Sequence, residues 1–439
     1  MRRLLVLWFL LAACTTADDP AAPPSPAQPV ALTDTSEAPG AIATVPLTPE
    51  PISIRVADLP EPFATSSARQ RPNVVDPPDD PVLRVPEGFR VNVWADDLNR
   101  PRWLALTPEG DVLLAESRAN RIRRLRDTDG DGAADEVTTF ADGRNRLDRP
   151  FGMAFLGDAF FVGNEGTVRR YPYAPGQARL EGSGEVLVEL PSGGHWTRNV
   201  IATPEGAALA VAVGSASNVS PEDFPRASVF RINPDGSGRE TLGSGLRNPV
   251  GLGFHPQTGM LYTTVNERDG LGDDLVPDYF TQVADGVFYG WPYAYLAPDN
   301  LDPRRMDGDR SERPVLASQT RTPDVLFQAH SAALGLAFYT GDAFPARYRN
   351  GAFVAMRGSW NRSQGTGYKL VFVPFEDEQP LGHYEDFLTG FLIDPSGPTT
   401  WGRPVGLLVL PDGSLLFTEE MNGRIYRVSF TDEPPTVER

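Results

Sequence analysis

Apolar and polar residues alternate over most of the chain after about residue 80, in pairs of short runs joined by tight turns. One pair runs from Trp103 to Leu114 and another from Val405 to Leu416, and each is interrupted by Pro-Glu-Gly or Pro-Asp-Gly. A period of two residues indicates a β-strand, and a glycine-containing turn between two such runs indicates a hairpin. A third run that mixes basic and apolar residues often follows, as at 121–125 and 424–428. This third run predicts a half-solvated outer strand.

The same unit recurs along the chain at nearly equal intervals, followed by two longer ones. The units start near Trp103, Phe151, Val200, Val250, Leu334 and Val405. Six units of three or four strands predict an all-β fold, a six-bladed β-propeller, with insertions after the fourth and fifth starts. Residues 84–94 are predicted to add a strand to the last blade and close the ring. A β-sandwich is the alternative, but six units are hard to fit into one.

The N-terminus has the features of an export signal. Met1-Arg2-Arg3 precedes an apolar run from Leu4 to Leu11, and Leu-Ala-Ala-Cys ends at Cys14. The apolar run is shorter than the about 20 residues that cross a bilayer. We therefore predict that residues 1–13 are a signal peptide and that Cys14 is then lipidated. An ordinary secretory signal with cleavage nearby is the alternative.

Composition predicts a tether before the folded domain and argues against one class of partner. Residues 14–80 are rich in Pro, Ala, Thr, Ser and Asp without a lasting period, which predicts a disordered tether before a propeller domain at 81–432. The 40 basic and 58 acidic residues give a net charge of −18, which argues against nucleic acid as a partner. Cys14 is the only cysteine, so disulfides are excluded. The chain is expected to be exported and lipid-anchored to the bacterial envelope, at the periplasm or outer membrane, with the lipid as its only membrane contact.

His195 is the first candidate for chemistry. It follows two glycines on a loop before a strand, and imidazole suits proton abstraction from a hydroxyl. Arg198 and Asn199 come directly after it, and Arg247 and Asn248 hold the equivalent strand-entry position one unit later. A surface or packing histidine is the alternative.

Other basic side chains stand at comparable places. Arg357 follows an inner strand and Arg403 precedes one. Several arginines that converge on the axis of so acidic a protein suggest a polyanionic ligand, although each one alone is also typical of a salt-bridged surface arginine. His330 precedes the fifth inner strand and is a candidate for the central pocket. His255 is interpreted as structural, and His383 is given no role.

One acidic loop has the spacing of an EF-hand-type Ca²⁺ site. Carboxylates stand at its first, third, fifth and ninth positions and glycine at its sixth. Thr138 replaces the glutamate of the twelfth position. We expect a structural Ca²⁺ here, with an acidic turn closed by its own side-chain hydrogen bonds as the alternative. The four carboxylates belong to Asp127, Asp129, Asp131 and Asp135.

A second acidic loop runs from Asp269 through Gly270 to Asp273 and Asp274. Its glycines free backbone carbonyls for metal ligation, and hard cations such as Ca²⁺ prefer oxygen ligands. This loop lies within 30 residues of Arg247, so the sequence predicts that a charged small molecule and a metal are held together.

These stretches together resemble a known family. They are similar to the L-sorbosone dehydrogenase branch of the soluble aldose and glucose dehydrogenases, which are six-bladed propellers that use pyrroloquinoline quinone (PQQ) and Ca²⁺. The resemblance covers about residues 82–430. It is carried by residues 193–199, 245–251, 265–279, 288–293 and 358–369.

The resemblance implies roles for the organic site residues. His195 would be the general base, and Arg247 with Asn248 would contact the quinone oxygens. Arg357 would take the place of a lysine that pairs with the cofactor carboxylates. Arg403, and Arg198 beside the base, would also serve the cofactor.

The resemblance also implies two metal sites. The carbonyls of Asp269 and Gly270 would bind the Ca²⁺ that touches the cofactor. Asp274, next to Asp273, would bind a second, structural Ca²⁺ with the carbonyls of Leu275 and Tyr289.

Two departures from the family pattern concern the sugar. Gly194 stands where the glucose enzymes carry an aspartate that supports the base. The glutamine that those enzymes use near the sugar has no clear match, and Arg149 lies close to its place. The cofactor is therefore expected to be kept while the sugar differs from glucose.

The implied reaction is oxidation of an aldose or a sugar aldehyde, sorbosone-like, to a lactone or acid. His195 takes the hydroxyl proton, Ca²⁺ and Arg247 polarise the quinone carbonyl, and hydride passes to PQQ, which an external electron acceptor reoxidises. A Ca²⁺-dependent sugar lactonase is one alternative, and it would need an acidic metal centre on the axis. A non-catalytic propeller lipoprotein that binds a partner or glycan is the other.

Overall fold

The computed structural model describes residues 38–431. The predicted signal peptide at 1–13, the lipidation of Cys14 and the first part of the predicted tether lie outside these residues. Almost all regular structure within them is β, which confirms the all-β class. Six sheets of four to six strands form the body. In each sheet we call the strand at the inner edge the first strand and its hairpin partner the second strand, and we number the sheets by the chain order of these first strands, which begin at Trp103, Met153, Arg198, Pro249, Ala333 and Pro404.

Sheets 1 to 3 follow the chain in simple antiparallel order. Sheet 1 contains Trp103–Leu106, Val112–Glu116, Arg121–Arg126 and Glu136–Ala141. Sheet 2 contains Met153–Leu156, Ala159–Gly163, Thr167–Pro172 and Glu185–Glu189. Sheet 3 contains Arg198–Ala202, Leu209–Val213, Ser228–Ile232 and Glu240–Ser244, and Val287–Phe288 joins its outer edge in parallel.

Sheets 4 to 6 draw strands from more distant parts of the chain. Sheet 4 contains Pro249–Phe254, Leu261–Val265, Tyr279–Gln282 and Val325–Leu326. Sheet 5 contains Ala333–Phe338, Ala352–Met356, Lys369–Val373, Tyr384–Leu388 and Pro51–Ile52. Sheet 6 contains Pro404–Val409, Leu415–Glu419, Arg424–Phe430, Phe89–Ala95, Ala41–Pro46 and Val82–Val85.

The remaining elements are short. Asn73–Val74, Thr399–Thr400 and Leu392–Asp394 form a three-stranded sheet. Two-stranded ribbons pair Ala294–Tyr295 with Ala297–Leu301, Met306–Asp307 with Arg310–Ser311, and Phe375–Glu376 with Gln379–Pro380. The helical turns are Val56–Asp58, Ser117–Ala119, Gly143–Asn145, Pro314–Ala317 and Ala346–Tyr348. No helix within the described residues is long and apolar enough to cross a membrane.

The first strands of the six sheets touch one another in a closed circuit, from sheet 1 through sheet 6 and back to sheet 1. A second link joins the ends of this circuit, because Phe89–Ala95, which leads into sheet 1, pairs antiparallel with Arg424–Phe430 of sheet 6. This pairing confirms the strand predicted at 84–94. Each predicted unit start lies within two residues of an observed first strand. The alternating pattern therefore located the hairpins.

A separate hydrophobic cluster fills each gap between neighbouring sheets. Neighbouring residues on one strand enter different clusters: Leu113 packs towards sheet 2 and Leu114 towards sheet 6. Phe160 and Phe161 divide in the same way. The second strand of each sheet is thus covered on both faces, which explains its continuous apolar sequence.

The prediction of a disordered tether over 14–80 is wrong from residue 38 onward, and the domain boundary at 81 lies too late in the chain. Ala41–Pro46 runs between Val82–Val85 and Phe89–Ala95 in sheet 6. Pro51–Ile52 and Asn73–Val74 add further pairings. Pro51–Ile52 and Asn73–Val74 are too short to leave a sequence period, and the single strand Ala41–Pro46 stands alone in a Pro- and Ala-rich segment, so composition suggested disorder.

Candidate active site

A cavity of about 320 Å³ opens where the loops that enter the first strands meet the loops that leave the second strands. This volume falls in the range of small-molecule sites, about 300–1,000 Å³. Cavity residues that precede a first strand are Arg102, His195, Arg247, Asn248 and His330, and those that follow a second strand are Arg118, Asn266, Asp269, Arg357 and Glu420. We call this space the central cavity.

His195 lines the central cavity, and one of its ring nitrogens is left as a proton acceptor. Its backbone N–H donates to the Ser215 carbonyl at 2.9 Å, and its Nδ1 lies 2.8 Å from the same oxygen. A carbonyl only accepts, so Nδ1 carries the proton and Nε2 holds a lone pair. Burial, together with the positive charge of Arg247, lowers the pKa of His195 to about 3. The ring is therefore neutral at physiological pH.

Gly194 cannot be replaced by the aspartate of the glucose enzymes without moving the loop. Its φ is +68°, and a Cβ there would lie 2.2 Å from the Cα of Ala216. Ser215 supports the ring of His195 instead, through its carbonyl and through its hydroxyl at 3.1 Å. The ring of His195 is thus supported by a backbone carbonyl and a hydroxyl from the next strand connection.

Arg247 and Asn248 line the central cavity, as predicted from their strand-entry position. The guanidinium of Arg247 donates to the Glu267 carbonyl at 2.7 Å and to the side-chain oxygen of Asn218 at 3.0 Å, and lies 3.4 Å from the Asp269 carboxylate. The side-chain oxygen of Asn248 is buried without a partner within residues 38–431. Such an atom is available to a ligand.

Arg198 and Arg403 lie outside the central cavity, behind its wall. Arg198 is buried and donates to the carbonyls of His195 and Pro191 at 2.6 and 2.7 Å, so it braces the loop that carries His195. Arg403 donates to the carbonyls of Arg357 and Gly358 at 3.0 and 2.7 Å. Neither guanidinium is placed for direct contact with a cofactor, and both act on backbone that shapes the cavity.

Arg357 reaches the central cavity as a partner of Glu420, which the sequence reasoning missed. Its Nε lies 2.6 Å from a Glu420 oxygen, and Arg102 binds the other oxygen. Although burial opposes ionisation, the two arginines hold the pKa of Glu420 well below its ordinary value. Glu420 directly follows the second strand of sheet 6, and Arg357 holds the same position in sheet 5. This shared position could have identified Glu420 as a cavity residue from the sequence.

Three further arginines of the cavity wall were also missed, and they come from one sector. Arg100 and Arg102 precede the first strand of sheet 1, and Arg118 follows its second strand. Within residues 38–431, Arg100 and Arg118 have no carboxylate partner, and the Nε of Arg102 is buried without a hydrogen bond. This sector therefore presents cationic donors that a polyanion would satisfy.

Trp196 forms the apolar wall beside these arginines. The guanidinium groups of Arg149 and Arg102 lie 4.3 and 5.3 Å from its ring centroid. Arg149 also binds Glu165 at 2.8 Å and does not line the cavity. The ring is thus held by cation–π contacts against the space that a flat ligand would fill.

His330 lines the central cavity, as its position before the fifth first strand suggested. Its Nδ1 lies 3.0 Å from the side-chain amide of Asn361, which also donates to Asp269 at 2.7 Å. Asp278 is a buried carboxyl of the same wall, and burial raises its pKa to about 7. His255 packs on Phe375 at a hairpin tip, in keeping with a structural role.

A second, outer cavity of about 280 Å³ adjoins the central one and shares four lining residues with it. Its other wall is built by residues 67–69 of the segment that had been predicted to be tether. The guanidinium of Arg69 lies 5.9 Å over the ring of Trp360. The shared residues are Asp269, His330, Trp360 and Asn361.

The first predicted Ca²⁺ site, at the carbonyls of Asp269 and Gly270, does not fit the contacts of the Asp269 carbonyl. The Asp269 carbonyl accepts from Asn218 at 2.8 Å and from the Arg304 guanidinium at 2.7 Å. A Cβ on Gly270 would lie 3.3 Å from the same Arg304 nitrogen. A cationic side chain therefore already lies against the backbone that was expected to hold the metal.

The second predicted Ca²⁺ site also contains an arginine. Arg362 pairs with the Asp274 carboxylate and donates to the Asp273 carbonyl at 2.8 Å. The Asp273 carboxylate accepts from Ser363. Leu275 and Tyr289 are buried in the core between sheets 3 and 4. The charge of Asp274 is thus balanced without a metal.

The loop at 127–135 is the one place within the described residues where three acidic side chains converge. Ligand oxygens of Asp127, Asp129 and Asp135 lie within 4.8 Å of one another. Asp131 is not part of this cluster, and its carboxylate accepts the Ala133 N–H at 2.9 Å. Asp127 and Asp135 also accept hydrogen bonds within the loop, from Gly130 at 2.7 Å and from Thr128 at 2.8 Å, as in the alternative of a self-closed acidic turn. The loop joins the third and fourth strands of sheet 1, outside the central cavity.

A family model described as TrAA12-like matches residues 83–278 and 309–431. The chain belongs to the TrAA12-like family. These are PQQ-dependent oxidoreductases, which confirms the resemblance seen in the sequence. The matched ranges of this TrAA12-like protein contain His195, Arg247 and Arg357, whereas residues 279–308 lie between them.

Individual relatives are distant. The chain is 27% identical over 368 residues to an uncharacterized protein of Borreliella burgdorferi, with 79% of this chain and 91% of that protein covered. It is 22% identical over 425 residues to the PQQ-dependent pyranose dehydrogenase of Coprinopsis cinerea, with 80% of this chain covered and 55% of the enzyme. The chain thus spans about half the length of that enzyme.

Solved structures share the fold. An enzyme of Carbohydrate-Active Enzymes Family AA12 from Trichoderma reesei has a TM-score of 0.68 at 20% identity, with 82% of this chain and 99% of that chain covered. The PQQ domain of the Coprinopsis cinerea pyranose dehydrogenase has a TM-score of 0.65 at 20% identity, with the same coverage.

Proposed function

We propose that this chain oxidises an aldose or a sorbosone-like sugar aldehyde to the lactone or acid, with PQQ as cofactor and His195 as general base. The observation that carries the proposal is that His195 and Arg247 line one cavity, with the Nδ1–H of His195 bound to Ser215 and its Nε2 left as an acceptor. We interpret the closed circuit of six sheets as six propeller blades around this cavity.

The chemistry of the cavity wall fits PQQ, which carries three carboxylates and a flat ring system. Arg100, Arg118 and Arg102 offer guanidinium donors that lack a full set of partners, and guanidinium suits carboxylate recognition. Trp196 offers an apolar face beside them. PQQ, when bound, supplies the electrophilic quinone that takes up the two electrons of the sugar.

The residues of the chain itself do the acid–base work. His195 accepts at Nε2 the hydroxyl proton of the substrate, an aldose hemiacetal or the hydrate of a sugar aldehyde, and its carbonyl partner Ser215 fixes the ring for that transfer. Arg247 and Asn248 face the same space and orient the reacting groups. Positioned base catalysis of this kind is worth about 10²- to 10⁴-fold in rate.

Three further parts of the proposal concern the surroundings of the enzyme. The loop with Asp127, Asp129 and Asp135 holds a structural Ca²⁺. The N-terminal sequence supports export and lipidation at Cys14, so that the lipid anchor is the only membrane contact in the periplasm or outer membrane. An external electron acceptor then removes the electrons from the cofactor.

The test is reconstitution of the purified full chain with PQQ, followed by cofactor absorbance and aldose-driven dye reduction. We expect PQQ uptake and turnover in the wild type, and His195→Ala should keep PQQ uptake and lose about 10²- to 10⁴-fold in turnover. His383→Ala is the matched control and should behave as the wild type. Unchanged turnover in His195→Ala would remove His195 from the role of base.

Other outcomes separate the alternatives. PQQ uptake without turnover on a panel of aldoses and sugar aldehydes would favour a binding module. Lactone hydrolysis without PQQ uptake would favour a sugar lactonase. Cys14→Ser should move the protein from the membrane fraction to the soluble fraction, and an unchanged distribution would contradict the anchor.

A further inference from the structure

The backbone carbonyl of Asp269 has no lone pair left for a metal. Its two lone pairs accept the side-chain amide of Asn218 at 2.8 Å and the Arg304 guanidinium at 2.7 Å. The carboxylate of Asp269 is also engaged, by Asn361 at 2.7 Å and by Arg247 at 3.4 Å. The carbonyl oxygen and both carboxylate oxygens of Asp269 therefore each face a nitrogen donor.

Arg304 is held firmly in this place. Its Nε and Nη2 bind the two carboxylate oxygens of Asp302 at 2.9 Å each, so the pairing is bidentate. Asp302 is fully buried and binds Arg268 on its other side at 3.0 Å. Arg268 in turn binds the buried Glu267 at 2.9 Å.

The charges of this network already balance, since Arg268 and Arg304 face Glu267 and Asp302. A divalent cation at the Asp269 carbonyl would add two uncompensated charges beside a guanidinium, which is costly at a partly buried position. Both Asp302 and Arg304 lie in residues 279–308, between the two ranges that the family model matches. The ion pair of Arg304 with Asp302 thus belongs to a part of the chain that the family model does not match.

We propose that Arg304 takes the place of a cofactor-site Ca²⁺ in this chain. Arg304 is a positioning residue: it supplies a fixed positive charge at the Asp269 carbonyl, and PQQ binding requires no Ca²⁺ there. The proposal rests on the proposed function for its PQQ readout, and its Ca²⁺ readout is independent of PQQ.

The first test measures PQQ affinity of the full chain by absorbance titration in EGTA and in millimolar Ca²⁺. We expect the wild type to bind equally, within about twofold, in both. Arg304→Met should bind at least about tenfold more weakly in EGTA, a change in affinity that corresponds to about 1.4 kcal/mol, and Ca²⁺ should restore part of the affinity. Arg305→Met is the matched control, because that side chain pairs with Glu312 away from Asp269, and it should leave affinity unchanged.

The second test counts bound Ca²⁺ by calorimetry without PQQ. The variant Asp127→Asn/Asp129→Asn/Asp135→Asn should bind no Ca²⁺, and the addition of Arg304→Met should create one site. A Ca²⁺ bound by the loop variant with Arg304 intact, loss of PQQ from the wild type in EGTA, or equal PQQ affinity of Arg304→Met and wild type would each overturn the proposal. A wild type that binds PQQ in neither buffer would reject the proposed function, while the Ca²⁺ count would still decide the role of Arg304.

Discussion

The carbonyl of Ser215 accepts the Nδ1–H of His195 at 2.8 Å, while the N–H of Ser215 donates to the carbonyl of Arg247 at 2.8 Å. One residue therefore fixes the tautomer of the base and ties its loop to the strand entry of the arginine. This backbone link explains how two loops from neighbouring sheets can keep a common geometry without a supporting carboxylate.

The low pKa of His195 predicts a defined pH dependence. The imidazole has a pKa of about 6.5 in the unfolded chain and about 3 in the folded one. Between these values the unfolded state binds more protons, so the free energy of unfolding falls as the pH drops through this window. When the pH is lowered from 7 to 4, we expect the melting temperature of His195→Gln to fall less than that of the wild type.

The measurement is a series of thermal melts of the PQQ-free protein, with His383→Gln as control. Because the chain has four histidines, NMR titration of the ring protons can follow His195 directly. A midpoint near 6.5 for His195 would show that its ring is solvated and would contradict the buried, neutral base.

Gly194 predicts a contrast between two neighbouring glycines. Gly194→Ala would place a Cβ 2.2 Å from the Cα of Ala216, whereas Gly193, with φ +81°, has open space around its Cβ position. We expect Gly193→Ala to cost about 1 kcal/mol in unfolding free energy and to keep turnover. Gly194→Ala should cost more and lower turnover by about 10²-fold, because a displacement of about 1 Å at the base is sufficient for that.

Urea unfolding and dye-reduction rates on the two variants check this prediction. Equal turnover in both would mean that the loop relaxes without moving His195.

The positions of residues in the repeated units were easier to predict from the sequence than those of residues in the insertions. His195, Arg247 and His330 precede first strands, and this shared position suggested one cavity, although Arg403 holds the same position and lies behind the wall. Arg198 shows the limit, because its place on the strand did not reveal that its guanidinium turns back to the loop carbonyls. Arg304 lies in an insertion without a period, and only tertiary contacts reveal that it reaches Asp269.

The segment before residue 80 predicts a stability effect that a tether would not have. Ile42 is 5% exposed in the cluster between sheets 5 and 6, so Ile42→Ala should cost about 2–5 kcal/mol. Ile393→Ala is the matched control: that side chain is 55% exposed, and its loss should change stability by less than about 0.5 kcal/mol. Urea unfolding of both variants compares them, and an Ile42 variant as stable as the Ile393 variant would restore the tether interpretation.

The acidic loop at 127–135 predicts which carboxylates bind Ca²⁺, and here structure and sequence spacing differ. Spacing makes both Asp129 and Asp131 ligands, but only Asp129 converges with Asp127 and Asp135. Ca²⁺ at a hundredfold excess over its dissociation constant should stabilise the wild type by about 2.7 kcal/mol. Asp129→Asn should abolish this gain and Asp131→Asn should keep most of it, because only the first removes a charge from the converging oxygens. Thermal melts with Ca²⁺ and with EGTA measure the gain, and an equal loss in both variants would mean that the loop closes around the ion as the EF-hand spacing predicts.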